Sequence, residues 1–189
     1  MKHLFTLALL ILSLFSQAQN VRLSKSQVKA NLIPLAIAYE GKVNNTMSYT
    51  ISGGMIPSIL VENYTSGFEP VTETFVFLHP YITSSFRSYY ARNKVKEQDL
   101  MKNSGNYIGM FHSHQFAPFG STDDTIEERA RNRETNVFVV GPVWGLQRNY
   151  ASGIHLDFSI GLGYKNGEYI SGDVSLIGGF ELGFILFSK

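Results

Sequence analysis

Cysteine is absent from the 189-residue chain. That excludes disulfides, thiolate nucleophiles, cysteine metal ligands and a lipid-modified N-terminal cysteine, so stability rests on packing and hydrogen bonding alone. A charge surplus is missing too. The formal net charge is +1, which gives no general attraction to nucleic acid or to anionic membrane surfaces. Beyond residues 4–15 no apolar run is long enough for a transmembrane helix. Phosphate loop, dinucleotide fingerprint, EF-hand spacing and zinc motif are all lacking, so no cofactor or metal is expected.

What the chain does have begins at its N-terminus. Lys2 and His3 precede the apolar stretch 4–15, and Ser16-Gln17-Ala18 supplies small residues at the two positions a signal peptidase reads. This is the layout of a secretory signal peptide. Cleavage is expected after Ala18, leaving residues 19–189 as one exported domain. A dozen apolar residues are too few to anchor the chain across about 30 Å of hydrocarbon.

The remainder is rich in glycine (17), tyrosine (10) and phenylalanine (14), a composition of strands with close backbone approaches. Its dominant signal is alternation. In 173–187, Val174, Leu176, Phe180, Leu182, Phe184 and Leu186 share one face, while Asp173, Ser175, Gly179, Glu181 and Gly183 share the other. Successive strand residues point to opposite sides. The bulky face suits lipid, and the small or polar face suits a cramped, wet barrel interior. Residues 154–164 repeat the division, with Ile154, Leu156, Phe158, Ile160 and Leu162 against His155, Asp157, Ser159, Gly161 and Gly163. So do 136–147, 47–56 and 29–40, the last setting Ile33, Leu35, Ile37 and Tyr39 against Ala30, Pro34, Ala36, Ala38 and Glu40. Segment 75–91 follows the rule less strictly, with His79, Tyr81, Ser85, Arg87 and Tyr89 on the polar face. In 106–116, Tyr107 and Phe111 compete with Ile108, Met110 and Phe116 for the outer side, and the facing stays open.

The gaps 41–46 and 148–152 are short, whereas 57–74, 117–135 and 165–172 are longer and polar. Outer-membrane barrels have this asymmetry, with short periplasmic turns and long outward loops. The connection 92–104 is long for its short-gap slot. Seven segments make an odd count where an even one is expected. Either residues 21–28 supply a first strand or one segment is two, with Pro80 in 72–91 as the expected point of division. The expected architecture is an all-β, antiparallel up-and-down transmembrane barrel of about eight strands.

The signal peptide, the opening 29–40 ending Tyr39-Glu40, Phe86-Arg87-Ser88-Tyr89-Tyr90, Gly105-Asn106-Tyr107-Ile108-Gly109 and the Gly-rich hairpin 154–187 together resemble the small outer-membrane β-barrel proteins of Gram-negative bacteria, including uncharacterised families with an OmpA-like barrel. The resemblance implies location in the outer membrane, contact with its lipid and lipopolysaccharide, and insertion by the outer-membrane assembly machinery. Such barrels often end in an aromatic residue, whereas here Phe187 precedes Ser188-Lys189.

The parity places Glu40, Arg87, Asp157, Glu181, His79 and His155 inside. An isolated buried ion is costly, so a polar network is expected in which Arg87 bridges Glu40, Asp157 or Glu181. Such a network fills and cross-links a barrel too narrow to conduct, with a small gated pore as the alternative. His112-Ser113-His114 is the one catalytic-looking cluster. A Ser-His pair would suit a lipid-modifying outer-membrane hydrolase, but strand neighbours point to opposite faces, which separates Ser113 from both imidazoles. His112 and His114 share a face and lack a third metal ligand. Asp123 and Asp124 sit in an outward loop whose plain role is solvation, with a Ca²⁺ or lipopolysaccharide contact as the sharper one. The reading preferred is a non-enzymatic outer-membrane barrel with a structural or adhesive role through its loops. A lipid hydrolase and a soluble lipocalin-like carrier of an apolar ligand are the alternatives.

Overall fold

The computed structural model describes residues 22–66, 69–91, 102–118, 136–167 and 170–189. The expected signal peptide and the loop containing Asp123 and Asp124 lie outside them. Eight strands run in chain order: β1 (Ser26–Ile33), β2 (Leu35–Lys42), β3 (Met47–Ser66), β4 (Glu69–Ala91), β5 (Gly105–Gln115), β6 (Val137–Asn149), β7 (Ile154–Gly167) and β8 (Ile170–Ser188). Each pairs antiparallel with its neighbour, and β1 pairs with β8, so the sheet closes into a barrel. Among the described residues there is no helix.

Alternation along the strands sorts side chains between the interior and the outer wall. On β8 the even residues Val174, Leu176, Phe180, Phe184 and Leu186 are exposed, while Ile177 and Gly183 are buried. β7 repeats this with Ile154, Phe158, Ile160 and Leu162 outward and His155, Asp157, Ser159 and Gly163 inward. On β5, Tyr107 is buried inside whereas Met110 is exposed outside, which settles the facing that the sequence left open.

Three expectations are corrected. The segment 29–40 is two strands, joined by a tight turn at Pro34, where Leu32 pairs with Leu35. Pro80, by contrast, lies inside an unbroken β4 and pairs with Met55. A proline ring fixes φ and removes a donor, so it serves well at a reversal, and within β4 it falls one residue beyond the last β4–β5 pair, Tyr81 with Gln115. The reversal inverts parity: β1 turns Gln27, Lys29 and Asn31 inward, while β2 turns Ala36, Ala38 and Glu40 inward. Ala30 therefore does not share a face with Glu40, and Lys29 does. Finally, most of 57–74 and 165–172 is strand rather than loop. Above the Met55 and Tyr81 pairs, β3 and β4 continue as a two-stranded ribbon without β2 or β5 beside them.

The wall is consequently uneven. At the end opposite the termini, the β1–β2 hairpin stops at Pro34 while β3 runs on to Ser66 and β8 reaches back to Ile170. The β1–β8 pairing ends at Ile33 with Leu182, so the wall dips above Pro34 between two taller strands.

Close approach inside the barrel depends on Gly145. The Tyr107 ring lies across it, so a Cβ there would overlap the phenol, and Tyr89 packs edge-on against that ring at 5.7 Å between centroids. Gly145→Val is expected to cost about 1–3 kcal/mol through overpacking, read as a lower urea midpoint with an unchanged m-value.

Candidate functional site

The interior is organised by carboxylates that accept from several strands at once. Glu40, fully buried on β2, takes Lys29 Nζ at 2.7 Å and Gln147 Nε2 at 2.9 Å on Oε2. Its Oε1 accepts from Ser48 Oγ at 2.7 Å and Tyr89 Oη at 2.8 Å. One side chain is thus tied to β1, β3, β4 and β6. Asp157 on β7 accepts from Tyr107 Oη at 2.7 Å and pairs with Arg87 Nη1. Arg87 also donates to Gln147 Oε1 at 2.6 Å and to Ser85 Oγ at 2.8 Å, and its guanidinium lies 4.6 Å from the Tyr107 ring centroid. Charge-assisted bonds of this kind are about twice as strong as neutral ones, and in a water-poor interior every omitted partner is expensive.

Glu181 on β8 differs. Asn31 Nδ2 donates to its Oε2 at 2.7 Å, and its side chain keeps 22 % exposure. His155 Nε2 stands 3.9 Å from the same oxygen, beyond hydrogen-bond reach. The other ring nitrogen, Nδ1, lies 2.6 Å from Asn149 Oδ1. An amide oxygen only accepts, so in the neutral imidazole Nδ1 carries the proton and Nε2 is left as an acceptor.

At the terminal end the barrel is stoppered. Asn103, in the left-handed region at φ 59°, accepts from Ser24 N at 2.7 Å and Ser24 Oγ at 2.9 Å. Its backbone carbonyl takes Gln147 Nε2 at 2.8 Å, and Lys102 O takes Asn149 Nδ2 at 2.9 Å. Residues 22–24 and 102–104 thereby lie across the mouth. The connection 92–104, long for its position, ends by filling the barrel it leads into.

The opposite end holds a chamber of about 400 Å³. Arg87, Asp157 and Glu181 are in its lining, with Tyr81, Thr83, Phe111, Ser113, Gln115 and Gly179 around them and Ile33, Pro34, Ile56 and Pro57 on the low side of the wall. The molecule is therefore a cup with a charged floor.

All five sequence-derived network residues, Glu40, Arg87, Asp157, Glu181 and His155, occupy the interior, and Arg87 meets Asp157 directly. His79 is interior as well but higher, 2.7 Å from Ser58 Oγ. Tyr89, placed on the polar face by parity, is interior, whereas Lys29, Gln147, Tyr107 and the Asn103 stopper were missed. Lys29 was hidden by the parity inversion, although the Pro34 turn was the available signal. Around His112-Ser113-His114, Ser113 lines the chamber, whereas His112 is outside, 3.2 Å from Ser84 Oγ and against Phe138. His114 packs on Phe116. The wall itself separates the hydroxyl from both imidazoles. Among the described residues no group of three or more His, Cys, Asp or Glu is arranged to hold a metal.

Comparison with protein-family models, with curated proteins and with solved structures finds no match for the chain.

Removing one partner of a buried ion pair strands the other. Arg87→Met is expected to cost about 3–5 kcal/mol, and adding Asp157→Leu should return part of it, because an apolar pair carries no charge to desolvate. Urea midpoints of the two singles and the double test this as a cycle.

Proposed function

We propose that the chain is a non-enzymatic integral protein of the Gram-negative outer membrane, a closed and non-conducting β-barrel whose role is structural or adhesive through its outward end. The observation that carries this reading is the inversion of the barrel: its ions lie inside and its large apolar side chains outside. Leu35 is 64 % exposed, Leu186 63 % and Leu176 72 %, together with Ile37, Phe86, Met110, Ile160 and Phe184 on other strands. A belt of this kind supports hydrocarbon rather than water as the surrounding medium. Tyr39, Tyr49, Trp144, Tyr150 and Phe187 cluster toward the terminal end, and Trp144 Nε1 donates to Tyr90 Oη at 2.6 Å. Such amphipathic rings belong at a membrane–water interface.

The terminal end, with the turns at 43–46 and 150–153, is then periplasmic. The β3–β4 ribbon reaches outward, where adhesion or recognition would take place and where lipopolysaccharide is the immediate neighbour. The stopper and the Glu40 and Asp157 networks fill the terminal half of the interior with hydrogen-bonded side chains, which supports a non-conducting barrel. A lipid hydrolase is disfavoured because Ser113 and its imidazoles are on opposite sides of the wall. A soluble lipocalin-like carrier is disfavoured because its interior should be apolar and its surface polar.

Cell fractionation followed by gel mobility with and without boiling tests the placement. Extraction only by detergent with a heat-shifted band is expected, whereas release by salt would overturn the proposal. Planar bilayers carrying the purified chain should show no stable conductance above background.

A further inference from the structure

The interior is short of hydrogen-bond donors and positive charge on one side. Lys29 is matched by Glu40 and Arg87 by Asp157, while Lys165, higher on the wall, stands in register with Asp173. Among the described residues, Glu181 alone of the three floor carboxylates has no cation within hydrogen-bond reach; the donor to it is the neutral amide of Asn31. Two further acceptors beside it are unsatisfied: Asn31 Oδ1 and His155 Nε2, on residues 1 % and 0 % exposed. Both residues pair with Gly183, two positions along β8 from Glu181. Buried acceptors without donors cost free energy until a donor arrives.

Glu181 also faces the chamber, whose floor holds the mutually paired Arg87 and Asp157 and whose sides carry the apolar Ile33, Ile56, Tyr81 and Phe111. Gly179 opens the space, since a Cβ there would meet nothing within 4 Å. The dip above Pro34 gives access from the side, over a rim of Ile33, Pro34, Ile56 and Pro57. We infer that the chamber is a binding site for a small amphipathic organic cation, an ammonium bearing an aryl or alkyl group, with Glu181 as its counter-ion and the apolar lining around its body. The ammonium supplies the charge and the donors that the Glu181 side lacks, and the aromatic rings favour a cation at their faces. An inorganic cation would satisfy the charge but leave the apolar lining unused. The site depends on the closed barrel and not on which membrane surrounds it.

Titration calorimetry on the full chain in zwitterionic detergent decides the matter, with benzylammonium chloride as probe, benzyl alcohol as its neutral counterpart and calcium chloride as the ion alone. Benzylammonium is expected to bind at least about tenfold more tightly than benzyl alcohol, the difference made by one charge-assisted bond. Glu181→Gln should weaken it by about the same factor. Gly179→Leu, which fills the chamber and leaves the carboxylate, should weaken benzylammonium and leave any calcium binding unchanged. The heat-shifted band reports the fold of each variant, and Gly179→Leu decides if Glu181→Gln does not fold. Equal affinity for the two benzyl probes, indifference to both variants, or binding of calcium alone would overturn the proposal.

Discussion

The carboxylate of Glu40 holds the barrel's interior together. Four donors from four other strands converge on it, and none of them is adjacent to all the rest in sequence. A charge placed there without those donors would be strongly unfavourable. Each of the four side chains must therefore reach the axis at one level, which fixes the register of β1, β3, β4 and β6 relative to β2. Arg87 extends the constraint to β7 by bonding both Gln147 and Asp157, and the aromatic pair Tyr89 and Tyr107 fills the space between the two carboxylates. Inside this barrel, ion pairs and charge-assisted hydrogen bonds tie together strands that are distant in the sequence, beside a small apolar cluster of Leu23, Val143 and Ile177.

The same constraint explains how the two ends come to differ. Polar groups concentrated toward the terminal end need further partners, and residues 22–24 and 102–104 supply them from outside the strands. Toward the other end the ionic groups thin out, glycine replaces bulk at Gly179, and the wall drops at Pro34. A stoppered base and an open cup are thus two consequences of one uneven distribution of hydrogen-bonding groups along the axis.

The architecture was largely legible because period-two alternation survives wherever a strand has different media on its two faces. Leu176, Phe180 and Phe184 against Ile177, Glu181 and Gly183 still locate the wall of β8. Glu40, Arg87, Asp157 and Glu181 were readable as interior by parity alone. What failed has physical causes. Alternation carries no direction, so a chain that reverses at Pro34 continues to look like one strand, and Lys29 is assigned to the wrong side. The ribbon beyond Met55 has no β2 or β5 beside it, and its polar, irregular sequence reads as a loop. The Asn103 stopper left no periodic trace, because its contacts come from a bend in a connection and its partners are distant in the chain.

The seam between β1 and β8 joins the first and last strands of the barrel. It is a short pairing, interrupted by two register shifts, and it is supported at its edge by Lys25 N donating to Lys189 O at 2.6 Å. The first strand cannot complete its ladder until β8 is present. Seven hairpin contacts can form between consecutive strands, but the ring closes only when β8 reaches β1, and this long-range pairing is the slowest kind of contact to make.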